Sequence, residues 1–522
     1  MITDARSIPT GTTLDAEICI VGAGAAGITL AREFANSPLR VVLLESGGML
    51  LEQATQDLYK GQIVGRPLEE LTASRLRYFG GTTNHWGGFC LPLDAIDFEP
   101  RETMPYHGWP IRRKDLDPWY QRAQTVCQLG PFDYRPASWG ITPEETPPPF
   151  AGPDFKVKIL QQNWLRFGPA YAPELRRASN VSVHLHANAF NFETSDNAAQ
   201  VETLAVKTLA GNHFSVRARI YVLACGCIEN ARLLLASGKE GGNGLGNAND
   251  LVGRFFMLHL TYPGGLIVPA HPRMTFDFRT DLKYRIDGRK HWFWSFIGLT
   301  EETMRRRHLP NIMIFWNYDF SPVKGAADAL GRMVHFDESG QAWLHDLGDV
   351  VENFEGLAEF AVTKELFGDG VPVRSMRVEC TLEQQPNPDS RITLSATRDA
   401  LGMREVAVDW QLVPEDKRGA AEILHLLGRE IGRAGFGRFK PMLTEGGSWP
   451  HGFAGNEHQM GATRMHDDPK HGVVDADCRV HGMGNLYVAG SSVFPTGGAN
   501  NPTLTIVALA LRLADRIKGQ LA

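Results

Sequence analysis

The sequence predicts a mixed α/β chain, α+β overall. One Rossmann-like domain is assembled from separated segments, and a second domain is built on an antiparallel sheet. Three observations predict this. Residues 16–48 read as strand, glycine turn, helix and strand. Residues 180–237 return to strands that run into a helix, and residues 484–516 repeat strand, glycine turn, helix. Between these, residues 261–450 mix candidate strands with aromatic runs. Sequential units of this kind pack helices against a largely parallel sheet, whereas the middle stretch lacks the alternation of strand and helix.

The first unit begins with the apolar strand EICIV. Gly22, Gly24 and Gly27 follow as G-x-G-x-x-G, ITLAREFA continues with helical spacing, and LRVVLLE ends on Glu45. In such a unit the glycines permit a tight turn, close approach of the backbone to a pyrophosphate, and close helix–strand packing. Free N–H groups and the positive end of the helix hold the phosphates. Glu45 lies 18 residues after Gly27, in register to accept a ribose hydroxyl. An adenine dinucleotide is the expected ligand. The motif alone does not separate FAD from NAD.

The next stretch, RLRYFGGTTNHWGGFC, is rich in glycine, polar and aromatic residues without a period, and reads as an ordered loop. GWPIRRKDLDPWYQRAQTVCQLG reads as a loop entering a helix near Asp115 or Asp117. A proline-rich excursion without regular structure follows over 131–153. RVECTLEQQPNPDSRITLSAT reads as a hairpin-like pair of strands. In NNPTLTIVALALRLADR, Asn501 stands at the N-cap and Pro502 in the first turn of an apolar helix. The expected organisation is a first dinucleotide-binding segment over 1–100, a cap or lid with the excursion over 101–179, and a second binding segment over 180–260. A substrate-binding domain over 261–454 and a third binding segment over 455–522 complete it.

Bulk properties exclude several classes. The chain has 522 residues, of which 43% are hydrophobic and 21% charged, with a formal charge of −6 and no long basic run, so nucleic acid is not an expected partner. No run of about 18 apolar residues is present to span a membrane. The polar start MITDARSIPTGTTLDAE has no apolar segment of the signal-peptide kind, and a cytoplasmic location is expected, with co-export alongside a partner subunit as the alternative. The seven cysteines are sparse, odd in number and without zinc spacing, so reduced thiols and no metal site are expected.

Three ordered segments carry a resemblance. VGAGAAGITLAREFANSPLRVVLLESGG, YFGGTTNHWGG and the C-terminal HQMGATRMHDDPKHGVVD with GNLYVAGSSVFPTGGANNPTLT resemble the glucose–methanol–choline (GMC) oxidoreductases. GWPIRRKDLDPWYQRA, YVLACGCIENARLLL and EQQPNPDSRITLS extend it to the branch holding pyranose oxidases and bacterial sugar dehydrogenase large subunits. The resemblance spans nearly the whole chain and implies FAD as cofactor. It implies oxidation of an alcohol (CH–OH) group on a sugar, glycoside or cyclitol, by hydride transfer to flavin N5. The catalytic pair it implies is His458, in HQMG, as general base and Asn501, 43 residues on, orienting the hydroxyl. An imidazole with an ordinary pKa near 6.5 suits proton removal at neutral pH, and an uncharged amide can donate to the alcohol oxygen. The chain departs from the family at Gly461-Ala462-Thr463, where G-T is usual, so the role of Thr463 is open.

The resemblance also implies the cofactor contacts: Gly22, Gly24, Gly27 and Glu45 in the first unit, Gly80, Gly81, Thr82 and His85 in the loop, and Val183 near the adenine. Gly490, Ser491, Pro502 and Thr503 complete the set at the C-terminus. Pyranose oxidases carry their flavin on the histidine of T-H-W. Asn84-His85-Trp86 keeps the His and Trp but not the Thr, so non-covalent FAD is expected, with a covalent link at His85 as the alternative. His259 either reaches the active site or sits in the core. The run Trp292, Phe293, Trp294, Phe296, with Trp316 and Tyr318, is either a buried strand or a sugar-stacking wall. At most half of it can line a pocket, because alternate strand residues face opposite ways. The expected partners are the alcohol substrate, an electron acceptor (oxygen, or a quinone or dye) and a possible small electron-transfer subunit. A lyase with redox-silent FAD, a non-catalytic FAD-binding subunit and an NAD(P)-linked Rossmann dehydrogenase are the alternatives.

Overall fold

The computed structural model describes residues 1–102, 104–140, 152–238, 242–271, 282–286, 289–320 and 373–522. The proline run at 147–149 lies outside the described residues.

The first sheet runs in the order Ile2–Asp4, Val181–Leu185, Val41–Leu44, Thr13–Val21, His213–Leu223, Val201–Lys207, Asn188–Thr194, with Leu486–Val488 also paired to His213–Leu223. Pairings among the first five strands, and that of Leu486–Val488, are parallel; the last two are antiparallel. The short apolar strand Val41–Leu44 is buried at every position, as a strand covered on both faces must be. Segments far apart in sequence thus share one sheet. Leu44 is level with Val21, Val21 with Leu223 and Leu223 with Val488. Four carboxyl ends therefore lie along one edge, where open α/β sheets form their crevice. The helices Ala25–Phe34 and Cys227–Ala236 begin just past that edge, and Thr503–Leu521 packs against Ala25–Phe34.

The second sheet is antiparallel, in the order Gly437–Pro441, His259–Pro269, Val373–Glu383, Ile312–Phe320, Arg289–Leu299, Phe155–Gln162, Phe89–Cys90. The amphipathic helix Pro414–Arg433 lies on it, with Leu424 beside Gly264 and Gly428 beside Phe439. A three-stranded sheet of Arg391–Arg398, Arg404–Asp409 and Gly61–Ile63 completes the architecture. No helix among the described residues is long and apolar enough to cross a membrane.

Several local expectations change. RVECTLEQQPNPDSRITLSAT is not a hairpin: Val373–Glu383 belongs to the second sheet, while Arg391–Arg398 pairs with Arg404–Asp409 in the third. The connection carries the chain between sheets, with Ser390 Oγ donating to the Phe256 carbonyl at 2.5 Å. The helix predicted from Asp115 or Asp117 spans Arg113–Val126, because Asp115 accepts the Arg112 N–H at 2.9 Å from inside the first turn. Among the described residues of 101–179, the Arg113–Val126 helix and the Phe155–Gln162 strand are built into the main body of the fold rather than into a separate cap layer. Tyr120 of the Arg113–Val126 helix meets Thr505 of the last helix, Oη to Oγ1, at 2.8 Å, and Phe155–Gln162 is a strand of the second sheet. Of the aromatic run, Phe293 faces Trp139, whereas Phe296 and Trp294 adjoin Phe315, Leu91 and Ala499 on the other face. The two faces of one strand thus serve different neighbours.

A Cβ added at Gly27 would stand 1.8 Å from the Gly22 carbonyl oxygen. That atom belongs to the turn itself and has no free rotamer to yield. Gly27→Ala is expected to destabilise the chain by about 1–3 kcal/mol and to loosen its hold on the dinucleotide. Chemical denaturation, with the flavin-to-protein absorbance ratio of the purified protein, checks both.

Candidate active site

A cavity of about 570 Å³ opens along the aligned strand ends. Ala187, Asn188 and Ala189 line part of it, as do Gly22, Gly24, Glu45, Cys225 and Gly226. His85, Trp86, His458, Asn501, Pro502 and Thr503 also line it. Glu45 is fixed at its edge. One carboxylate oxygen accepts the Ala23 N–H at 3.0 Å and the other the Gly47 N–H at 2.9 Å, which leaves lone pairs for a ribose hydroxyl.

Of the predicted cofactor contacts, Gly22, Gly24, Glu45, Gly81, Thr82, His85, Gly490, Ser491, Pro502 and Thr503 all line this cavity. Gly27, Gly80 and Val183 do not. Gly27 packs on Gly22. Gly80, at φ +100°, donates its N–H to the Ala23 carbonyl at 2.9 Å and stands against Asn84 and Gly168, so it shapes the loop from behind. Val183 is fully buried inside a parallel strand, and the cavity is reached instead by Ala187–Ala189, past the turn at His186. Thr463 is buried with its hydroxyl unpartnered among the described residues and lies outside the cavity lining.

The two residues 43 apart meet. Asn501 Nδ2 lies 3.1 Å from His458 Nε2. The other ring nitrogen of His458, Nδ1, lies 2.9 Å from Nδ1 of His259 and 3.0 Å from Nδ2 of Asn456. His259 is fully buried on the strand His259–Pro269, and its Nε2 faces the Gly497 carbonyl at 3.4 Å. It therefore reaches the active site and is a core residue at once. Burial lowers the pKa of His458 well below 6.5, and the neighbouring His259 adds to this. Burial brings His259 down to about 4, against a smaller opposing pull from nearby carbonyls and Glu383. Both rings are neutral at neutral pH.

The predicted helix start is also corrected. The helix begins at Thr503, with Pro502 in the cap position and no side chain capping it. Asn501 stands one residue further out, and its amide is turned to His458 rather than to the helix N–H groups.

Some of the site was invisible in the sequence. Arg75, Arg77 and Glu229 line the cavity. Both guanidinium groups lie over the Tyr59 ring, at 4.0 and 4.7 Å, and both donate to Glu229, at 2.9 and 3.2 Å. Burial pushes the pKa of Glu229 up, but Arg232, Arg77 and Arg75 outweigh it and hold the group at about 2. Asn456 was missed as well. Its one signal was its place two residues before His458.

A family model described as GMC oxidoreductase matches residues 386–510, the segment that carries both His458 and Asn501. The chain belongs to the GMC oxidoreductases. A second model, FAD dependent oxidoreductase, matches residues 17–242 of this GMC oxidoreductase and covers the glycine turn and Glu45. The chain is 27% identical to 6'''-hydroxyparomomycin C oxidase from Streptomyces lividus, over 97% of this chain and 92% of that one. It is 24% identical to the fructose dehydrogenase large subunit of Gluconobacter japonicus, over 98% and 99%. Its fold is similar to that of pyridoxine 4-oxidase from Mesorbium loti, with TM-score 0.54 and 18% identity over 96% and 98% of the two chains. The GMC oxidoreductase described here is thus an FAD-dependent enzyme acting on CH–OH groups.

The residues present fit FAD. A Cβ at Gly24 or at Gly226 would meet no protein atom within 4 Å, yet both glycines line the cavity. The empty space at these two backbone positions is what a pyrophosphate in contact with main-chain N–H groups requires. Gly24→Val is therefore expected to leave the fold intact while filling the cradle. The variant should unfold at nearly the same denaturant concentration as cofactor-stripped wild type, but hold at least tenfold less flavin, read by absorbance after gel filtration.

Proposed function

We propose that the enzyme oxidises a hydroxyl of a sugar, glycoside or cyclitol, with His458 as general base and Asn501 holding the alcohol oxygen. The observation that carries this reading is the 3.1 Å approach of the Asn501 amide to His458 Nε2 at the cavity wall. An alcohol that replaces this contact can donate its O–H to Nε2 and accept an N–H from Asn501, so both ends of the hydroxyl group are held. FAD, when bound, accepts the hydride. The chain's own residues do the rest. Asn501 orients the oxygen, and His458 takes the proton at Nε2. Pro502 and Thr503 bring the electropositive helix start to the cavity, where negative charge is stabilised.

The carbohydrate class rests on the names of the relatives and on the aromatic face beside the site. Phe89 lines the cavity and meets Trp294 edge-on at 5.8 Å, and Phe315 belongs to the same cluster. Trp294, outside the cavity lining, is tied by its indole N–H to Gln162 at 2.6 Å and so gives the Phe89 ring on the wall a fixed support. Residues 261–454 are proposed to supply most of the substrate domain. FAD is proposed to be held without a covalent bond, since Asn84 replaces the threonine before His85 and spends its amide on the Phe79 carbonyl at 3.0 Å. The electron acceptor is oxygen or a quinone or dye. A small electron-transfer partner is in keeping with the likeness to a dehydrogenase large subunit.

Anaerobic mixing with a panel of sugars, glycosides and cyclitols tests the reading, because oxidation bleaches the flavin and a lyase reaction does not. His458→Ala is expected to slow bleaching by about 10²–10⁴-fold with flavin content unchanged. The pH dependence has a definite sign. A base with a lowered pKa stays neutral as pH falls through 6.5, so kcat/KM should stay level from neutral pH to below that value and drop only in more acid solution. A fall centred at 6.5 or higher would contradict the assignment.

A further inference from the structure

We propose that His259 is the tautomer lock of this active site: its Nδ1 accepts the Nδ1 proton of His458, so that His458 turns a bare Nε2 towards the substrate. The inference rests on the general-base reading of His458 and adds a positioning residue to it.

A neutral imidazole carries one proton, on Nδ1 or on Nε2, and only the Nδ1–H form is a base at Nε2. Two neighbours of His458 Nδ1 pull in opposite directions. Asn456 Oδ1 accepts the backbone N–H of His458 at 3.0 Å and that of His259 at 3.3 Å, which fixes the amide with its NH2 group towards His458 Nδ1. That NH2 group can only donate, so by itself it would favour a bare Nδ1 and a proton on Nε2, the unreactive form. His259 opposes it. Its Nε2 faces the carbonyl of Gly497 at 3.4 Å, which can only accept, so Nε2 keeps the proton and Nδ1 is bare. The 2.9 Å contact between the two Nδ1 atoms then requires the proton on His458. The chain Asn501 N–H to His458 Nε2, His458 Nδ1–H to His259 Nδ1 and His259 Nε2–H to Gly497 is satisfied throughout.

The acceptor is itself neutral, and this sets it apart from the carboxylate that commonly orients a catalytic histidine. It fixes the tautomer without stabilising the imidazolium. The groups that bear on His259 are His458 and, on the adjacent strand directly opposite, Glu383, which is itself engaged by His107 at 3.2 Å and Arg101 at 3.5 Å. Asp97 lies behind the Gly498 backbone.

The test compares three variants by anaerobic flavin reduction at several pH values, with flavin content and unfolding midpoint as controls. His259→Leu keeps the bulk and removes the acceptor, and should slow reduction at least tenfold. His259→Asn is smaller but offers an oxygen where Nδ1 stood, and should retain most of the rate. In His259→Leu combined with Asn456→Asp, a carboxylate accepts the Nδ1 proton. That variant should regain rate and move the acid limb of the profile to higher pH. A packing role predicts the reverse order, with Leu tolerated better than Asn. Either that order, or a wild-type rate and profile in His259→Leu, overturns the lock. If His458→Ala also reduces its flavin at the wild-type rate, the general-base reading falls instead.

Discussion

A carboxamide and an imidazole from distant parts of the chain have to be held one hydrogen bond apart in a place dry enough to keep the imidazole neutral. Everything around Asn501 and His458 serves this. The loop bearing Asn501 is fastened at nearly every residue. Thr496 donates to the Asp97 carbonyl at 2.7 Å and accepts from the Trp109 indole at 2.8 Å. Gly498 donates its N–H to Glu383 at 3.2 Å, and Asn500 donates to the Pro92 carbonyl at 2.8 Å. Ala499 is buried among Leu91, Phe296 and Met313. On the histidine side, the N–H groups of Gly461 and Thr463 donate to the carbonyls of Ser491 and Ser492, at 3.1 and 2.8 Å, and Ser491 Oγ donates to Gln459. A misplacement of about 1 Å is enough to cost a large factor in rate, so this density of bonding fits the catalytic role proposed for the pair.

The fastening has an electrostatic cost. Asp94, Asp97, Arg101, His107, Lys158, Asn311 and Glu383 form a buried polar network under the loop. Burial pushes the pKa of Glu383 up, but Arg101 and His107 outweigh it and hold it at about 2. For Asp97 burial wins, with Asp94 and Glu383 repelling its charge, and its pKa rises to about 8. Such clusters add little net stability compared with an apolar core of the same volume. Their use here follows from what they hold. Gly498 sits at φ +53°, and a Cβ on it would lie 2.5 Å from an Asp97 carboxylate oxygen. A glycine has no side chain for a core to grip, so its backbone N–H is the remaining handle, and Glu383 takes it.

The fold was legible where the signal was local and periodic. The glycine turn between two strands, the return to strands after residue 180 and the apolar last helix each announce themselves by spacing, and together they give the discontinuous first sheet. What failed was long-range. The two strands of RVECTLEQQPNPDSRITLSAT look like a hairpin because both have the right period, but period does not say which sheet a strand joins. Residues 101–179 read as a cap or lid because Phe155–Gln162 finds its hydrogen-bonding partners at Arg289–Leu299 and Phe89–Cys90, far away in sequence. The site shows the same division. Motif residues such as Gly24, Glu45 and Asn501 were readable. Val183 was placed at the cofactor by the family resemblance, yet a parallel strand buries its middle and offers only its end. Arg75, Arg77, Glu229 and Asn456 carry no spacing that marks them, since their roles come from meeting other segments.

The last helix shows how a departure from a local rule can carry function. Read from sequence alone, Asn501 is an N-cap, the commonest use of asparagine before an apolar helix. Had it capped the helix, its side-chain oxygen would accept a first-turn N–H and its NH2 group would be turned away from His458. Neither holds in the structure. Pro502 takes the cap position with a side chain that cannot accept a hydrogen bond, and the first backbone bond closes from Ile506 to the Pro502 carbonyl. The backbone N–H groups of the first turn, beginning with that of Thr503 on the cavity wall, are left uncapped, and Asn501, one residue further out than Pro502, turns its NH2 group to His458. An uncapped helix end normally costs about 0.5–2 kcal/mol. Under the proposed function, the same omission would supply positive potential for the charge that develops on the cofactor and a donor for the alcohol. Local stability is given up at the point where two functions need the unpaired groups.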